Sequence, residues 1–217
     1  MNNDQSMQHQ FLIIEGNIGA GKTTLSQMLA EDFGFKLLLE EFADNPFLPH
    51  FYQNPDRYAF PVELFFMTER HKQLQQELAQ RDLFQEGIVA DYIFYKTLLF
   101  ARNNLNTEEY RLFQRLFNIL NAAFPKPDLL VYLHRSADRL MDNIRKRGRA
   151  FEQEIEPSYL QEIQQSYFEF FRSNEQLPIL IIDIEDLDFL NNPEDYQKIL
   201  DLINRPYRPG LHRASFY

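Results

Sequence analysis

The chain has 217 residues and a formal net charge of −10, with 22 Lys and Arg set against 32 Asp and Glu. That length buries one sizeable core, the acidic balance argues against binding a nucleic-acid polymer nonspecifically, and no apolar run reaches the roughly 20 residues of a membrane helix, so no membrane partner is expected. Cys is absent, which excludes a disulfide framework or thiolate metal site and fits a reducing, cytoplasmic setting.

Residues 1–10 are polar and are expected to form a disordered leader to a single domain over 11–204. Phe11-Leu12-Ile13-Ile14 is an apolar run of strand type, and Leu25, Met28 and Leu29 mark one face of a helix over 24–33. Between them, Gly16-Asn17-Ile18-Gly19-Ala20-Gly21-Lys22-Thr23 fits G-x-x-x-x-G-K-[ST] at every required position, with Thr24 continuing it. Strand, glycine loop and helix in that order cradle a nucleotide's phosphates. The glycines let the backbone N–H groups turn inward, the helix start offers its positive dipole end, Lys22 reaches the β- and γ-phosphates, and the Thr23 hydroxyl holds Mg²⁺.

Gly34 closes the first helix, and Phe35 to Leu39 reads as a buried strand running into Glu40-Glu41. Asp44-Asn45-Pro46 and Tyr52-Gln53-Asn54-Pro55 are breaks, and 57–80 is a long Phe-rich helix that tolerates Pro61 only near a start or a kink. Gly87 to Asp91 is a third strand ending in a carboxylate. A helix over 94–102 follows, then one capped by Asn106 with Glu109 as capping-box partner. Strand 128–133, a helix from Ser136 to Arg147, a charged stretch over 146–156, a helix from Pro157 to Phe171, strand 179–183 and a helix capped by Asn192 complete the pattern, and 205–217 reads as a tail. Five short strands separated by helices make a parallel α/β sheet covered on both faces. Ligands of such sheets bind at the carboxyl ends of the strands, which collects the glycine loop, Glu40-Glu41 and Asp91 at one edge.

Together, Ile14-Glu15-Gly16-Asn17-Ile18-Gly19-Ala20-Gly21-Lys22-Thr23-Thr24, Glu40, Asn45-Pro46-Phe47-Leu48, Phe51-Tyr52 through Arg57-Tyr58, Arg147-Gly148-Arg149 with Glu152, and Tyr159-Leu160 resemble the deoxynucleoside kinases over roughly residues 11 to 190. The resemblance implies a P-loop kinase with a short arginine-bearing lid, ATP and Mg²⁺ as donor and cofactor, a small-molecule deoxynucleoside as acceptor, and a homodimer packed through helices near residues 57 to 120. Transfer to a neutral 5′-hydroxyl needs a carboxylate for its proton and positive charge on the phosphate oxygens. By the resemblance Glu40 is that base, its neighbour Glu41 pointing away along the alternating strand. Asp91 supports Mg²⁺ through water, Arg147 and Arg149 are the lid, and Tyr52 and Glu152 hold the sugar 3′-hydroxyl. Tyr92 stands where the family usually has arginine, so the lid must supply more of the positive charge.

Glu63 and Arg70 lie seven residues apart, about 10.5 Å along one helix face, so both can line one pocket. The family often has glutamine at the position of Glu63, and glutamine's donor and acceptor suit adenine or cytosine. A carboxylate offers only acceptors, which suits guanine N1–H and N2–H₂, with Arg70 donating to O6 and N7. With Thr97 where an acidic base reader is often found, the pattern is most similar to the bacterial deoxyguanosine/deoxyadenosine kinase branch, with deoxyguanosine as expected substrate and deoxyadenosine as the alternative. Glu63 pairing only with Arg70 or Lys96 remains open, as does whether Phe66, Phe94 and Phe113 stack on a base or fill the core. A nucleoside monophosphate kinase and a nonenzymatic nucleotide sensor share the loop. The five His are too scattered for a metal site, and neither G-x-S-x-G nor N-K-x-D occurs.

Overall fold

The run at 11–14 becomes the centre of the sheet in the computed structural model, which describes residues 7–40, 45–79, 87–121 and 124–216. β1 (Phe11–Gly16) is buried along its whole length, because both of its faces are covered. Its alternate residues divide between two cores: Leu12 and Ile14 enter one, Phe11 and Ile13 the other. The same alternation runs through β4 (Leu129–His134) and β5 (Pro178–Asp183), as the two-residue period of a strand requires. With β2 (Lys36–Leu38), β3 (Ile88–Ala90) and β6 (Gly210–Ala214), the order is β2-β3-β1-β4-β5-β6, and every neighbouring pair is parallel.

The first core is closed by α1 (Lys22–Phe33), α6 (Ala137–Arg147) and α8 (Pro193–Ile203); the second by α3 (Pro55–Ala79), α4 (Lys96–Asn104), α5 (Thr107–Asn121) and α7 (Pro157–Ser173). A short α2 (Leu48–Phe51) packs with Ala59 and Val62 of α3. Local signals fix several helix ends. Glu109 N–H donates to Asn106 Oδ1 at 2.9 Å while Glu109 Oε2 accepts from Asn106 N–H, the reciprocal capping box expected. Ser136 and Asn192 cap α6 and α8 through their side chains. α3 begins at Pro55 and runs on through Pro61, whose missing N–H leaves the Arg57 carbonyl without its helical donor.

Two expectations are corrected. Among the described residues the sheet has six strands rather than five, because the segment read as a tail supplies β6, parallel to β5 with Pro178 opposite Gly210 and Ile182 opposite Ala214. Its pairing is made by backbone groups at the sheet edge, so it needs no apolar run. The end of the expected disordered leader is also packed: Met7 and His9 are buried, His9 lies 3.0 Å from the Arg205 carbonyl, and Asp128 accepts from the N–H groups of Gln10 and Phe11. Residues 1–6 lie outside the described residues.

Candidate active site

The loop between β1 and α1 is shaped by glycines where a side chain would collide. A Cβ on Gly19 would sit 2.9 Å from the Leu140 carbonyl oxygen, and its φ of +82° lies in the left-handed region. Loop side chains tie it down from behind. Asn17 Nδ2 donates to the Leu160 carbonyl at 2.7 Å, Asn17 Oδ1 accepts from Ile18 N–H, and Asn143 Nδ2 donates to the Gly19 carbonyl. Ile18, Gly19, Lys22 and Thr23 form part of the wall of a cavity; Gly16, Asn17, Ala20, Gly21 and Thr24 complete the loop outside that wall. α1 starts at Lys22 with Gly21 as N-cap and no capping side chain, so its first turn presents backbone donors and its positive dipole end to an anion. Lys22 Nζ donates to the Asn17 carbonyl at 2.9 Å, and burial, reinforced by the Lys96 charge, pulls its ammonium down to about 8 against Glu15, Glu40 and Asp91.

The strand ends bring the carboxylates to this loop, as the edge rule requires. Asp91, at the end of β3, bridges two elements: Oδ2 accepts from the Thr23 hydroxyl at 2.5 Å and Oδ1 from the Glu40 backbone N–H at 2.7 Å. The Glu40 side chain is held between two buried cations. Arg70 donates to Oε1 through Nε and Nη2, and Lys96 Nζ donates to Oε2 at 2.6 Å. Burial alone would raise the Glu40 carboxyl, but Arg70 and Lys96 outweigh it and hold the group well below the usual carboxylate range. Glu15, fully buried at the end of β1, accepts from Ile93 N–H and the Tyr167 hydroxyl at 2.8 Å each. Two buried carboxylates, Glu15 and Asp91, and the half-buried Glu40 thus share one corner with Lys22, Arg70 and Lys96. Glu41 lies outside the described residues.

The cavity is about 120 Å³ and also takes in Tyr52, Glu63, Phe66, Phe100, Asn104, Arg147, Arg149, Glu152 and Tyr159. Sites for small molecules occupy roughly 300–1,000 Å³, so this cavity is small for one. The lid arginines are drawn together over it. Arg147 donates to Glu152 Oε2 through Nε at 3.0 Å and Nη2 at 2.6 Å, and Arg149 Nη1 to Glu152 Oε1 at 3.3 Å. The Tyr52 hydroxyl is pushed above its usual range by burial and then by the Glu152 charge.

Glu63 and Arg70 separate. Arg70 stands behind Glu40, its Nη1 donating to Thr97 Oγ1 at 2.8 Å, and is not on the cavity wall. Glu63 is on that wall; its Oε1 accepts from Asn104 Nδ2 at 2.7 Å, and its buried Oε2 has no partner. The pairing of Glu63 with Arg70 or Lys96 left open above is therefore not what forms. Of the three phenylalanines considered for stacking, Phe66 lines the cavity; Phe94 stacks on Phe117 and Phe113 is fully buried.

Sequence reasoning missed Lys96 as a cation on Glu40, and it missed Asn104. With Phe100 they fall at i, i+4 and i+8, one stripe of α4, and two polar residues on an otherwise apolar stripe were the available signal. Tyr92, at the position of the family arginine, is buried and donates from its hydroxyl to Gln73 Oε1 at 2.6 Å. Arg70 and Lys96, the latter four residues on in sequence, place positive charge at Glu40. A larger cavity of about 730 Å³, lined by Phe11, Leu74, Phe94 and Phe170 among others, includes no residue of the glycine loop. The reactive groups, not size, single out the smaller one.

A family model described as deoxynucleoside kinase matches residues 12–206. The chain is 36% identical over 193 residues to the deoxyguanosine kinase of Bacillus subtilis, covering 87% of this chain and 93% of that protein. It is 30% identical over 213 residues to the deoxyadenosine kinase of Lactobacillus acidophilus, covering 92% and 97%. Among solved structures it is similar to the deoxyadenosine kinase of M. mycoides with bound dATP, at a TM-score of 0.77 and 25% identity over 89% of this chain and 99% of that one.

Proposed function

The chain belongs to the deoxynucleoside kinase family, and from that premise we propose that it transfers the γ-phosphoryl group of ATP to the 5′-hydroxyl of a purine deoxynucleoside, deoxyguanosine preferred, in cytoplasmic nucleotide salvage. The observation that carries this reading is the Asp91 bridge, which fixes the peptide of Glu40 beside Thr23 of the phosphate loop. One residue thereby sets the distance between the proton acceptor and the donor's phosphates.

Lys22 and the first turn of α1 hold the phosphates, and the anion returns to Lys22 the charge partner that burial denies it. Thr23 and Asp91 are the oxygen donors that would hold Mg²⁺. No group of three or more metal-ligating residues occurs among the described residues, which fits a cation that keeps waters and substrate phosphates in its shell. Bound there, Mg²⁺ would neutralise charge on the transferring phosphoryl group.

Arg70 Nε and Nη2 occupy both lone pairs of Glu40 Oε1, but Oε2 keeps one after Lys96 is satisfied, so Oε2 can accept a hydrogen bond from the 5′-hydroxyl without losing its orientation. A carboxylate held so low is a poor base toward a neutral alcohol. It takes the proton late, as the 5′-oxygen to phosphorus bond forms, the bond to the leaving diphosphate breaks and the hydroxyl becomes acidic. Arg147 and Arg149 exchange Glu152 for the phosphoryl oxygens, and Glu152 and Tyr52 take the 3′-hydroxyl. Glu63 reads the base, its acceptors suited to the donors of guanine. The chain works as a homodimer packed through helices in 57–120, a reading supported by Leu112 and Ile119, exposed apolar residues on α5.

Steady-state turnover with ATP and Mg²⁺ on deoxyguanosine, deoxyadenosine, deoxycytidine and thymidine tests the assignment. Deoxyguanosine is expected to lead by about tenfold, equivalent to about 1.4 kcal/mol. A pyrimidine leading would overturn the reading of Glu63, and no turnover on any of the four would overturn the kinase.

A further inference from the structure

Glu63 sits in the cavity as a carboxyl group with one satisfied oxygen and one bare oxygen. Oε1 is held by Asn104 from α4, Oε2 is buried without a partner, and the residue is 2% exposed. The charged and titratable groups around it come from every neighbouring element. Arg70 lies on its own helix, Lys96 on α4, Glu40 after β2, Tyr52 after α2, Tyr159 on α7, and Arg147 with Glu152 at the lid. The cations are engaged elsewhere: Arg70 and Lys96 bind Glu40, and Arg147 binds Glu152. Tyr52 and Tyr159 are both pushed upward by burial and stay neutral. Among the described residues no ion pair reaches Glu63.

We propose that Asn104 sets the base preference by fixing Glu63 Oε1 as an acceptor and leaving Oε2 to carry or release the proton, so that the ionised carboxylate selects guanine and the protonated acid selects adenine. This rests on the reading of Glu63 as base reader. The chemistry follows from donor and acceptor counts. Ionised, the group has acceptors only, matching N1–H and N2–H₂ of guanine. Protonated, it has one donor and one acceptor, the pattern of a glutamine, matching N1 and the amino group of adenine. The amide donor of Asn104 makes Oε1 the acceptor in both states, so the proton resides on Oε2. Burial pushes the Glu63 carboxyl up to about 7 against the pull of the Asn104 hydrogen bond and the Arg70 charge, which brings the exchange into the working range. Deoxyadenosine phosphorylation is then a second activity of the same pocket, favoured by mildly acidic conditions.

The test is the ratio of kcat/KM for deoxyguanosine to that for deoxyadenosine, measured from pH 5.5 to 8.5 on the whole protein with ATP and Mg²⁺. Effects common to both reactions cancel in the ratio. For the wild type it is expected to rise with pH by up to about tenfold per unit. Glu63→Gln is expected to give a flat ratio shifted toward adenine. Asn104→Leu, which removes a hydrogen bond favouring the ionised form, is expected to move the rise to higher pH and so lower the ratio several-fold at pH 7. A flat wild-type ratio with Glu63→Gln still shifted toward adenine overturns the proton switch and leaves Glu63 a base reader. A flat ratio with Glu63→Gln unchanged overturns both. An Asn104→Leu ratio that coincides with the wild type at every pH overturns the role of Asn104. Carboxyl ¹³C NMR of the unsubstituted protein decides the case if that variant does not fold. The resonance absent from Glu63→Gln is expected to titrate near neutral pH, downward with bound deoxyguanosine and upward with bound deoxyadenosine, and titration in the ordinary carboxylate range would overturn the switch.

Discussion

Replacing Glu63 by glutamine isolates a stability contribution that no substrate need be present to reveal. The carboxyl is 2% exposed and its folded-state pKa rises from 4.5 to about 7, mainly because burial penalises the charge. The folded state therefore holds this proton more tightly than the unfolded chain does. Below 4.5 both states are protonated and the group is neutral in its effect; between 4.5 and about 7 stability falls as pH rises; above about 7 the full penalty is present. The displacement corresponds to about 3 kcal/mol, at roughly 1.4 kcal/mol per unit. Glutamine keeps an acceptor for Asn104 but has no proton to lose. Urea unfolding of both proteins without nucleotide, at pH 5 and pH 8, should show the variant gaining about 2 to 3 kcal/mol on the wild type between the two pH values. Curves parallel within about 0.5 kcal/mol, near the uncertainty of extrapolation, would refute the reasoning, since Glu63 would then ionise as it does in the unfolded chain.

Glu40→Gln is expected to lower kcat by about 10²- to 10⁴-fold with the KM for ATP within a few-fold, and to lower the urea midpoint because Arg70 and Lys96 lose their buried counter-charge; a kcat within threefold of wild type would remove Glu40 as the base. Arg147→Ala should reduce kcat about 10²-fold or more with a small change in Tm, since the arginine is partly exposed beside Glu152; an equal loss in both readouts would make it a structural residue. Gly19→Ala forces a side chain onto a φ of +82° and against the Leu140 carbonyl, and calorimetric titration is expected to show ATP affinity reduced at least tenfold, whereas unchanged binding would separate this turn from the phosphates.

The phosphate loop was legible because each motif position performs a local backbone task, and the helix caps were legible for the same reason: Asn106, Ser136 and Asn192 bond within three residues of themselves. Strand β6 was not legible. Gly210-Leu211-His212-Arg213-Ala214 has no apolar run, and its place depends on the edge that β5 leaves open. The partners of Glu40 were also hidden, since Arg70 and Lys96 approach it across 30 and 56 residues of sequence. Helical spacing put Glu63 and Arg70 on one face, but two turns of about 10.5 Å keep them too far apart to pair, so each finds a partner on another element. Asn104 meets Glu63 only because α4 packs against α3.

Asp91 is held by two hydrogen bonds of opposite allegiance, one to the helix that follows the glycine loop and one to the peptide of Glu40. A ligand that draws the Thr23 hydroxyl away is expected to loosen one arm of a bridge whose other arm holds the Glu40 peptide, which would couple the binding of the two proposed substrates. Reciprocity then fixes the bookkeeping: whatever factor the phosphate donor imposes on nucleoside affinity, the nucleoside imposes on the donor. On the proposed mechanism, coupling between phosphate donor and nucleoside is expected to be lost when this single carboxylate is removed.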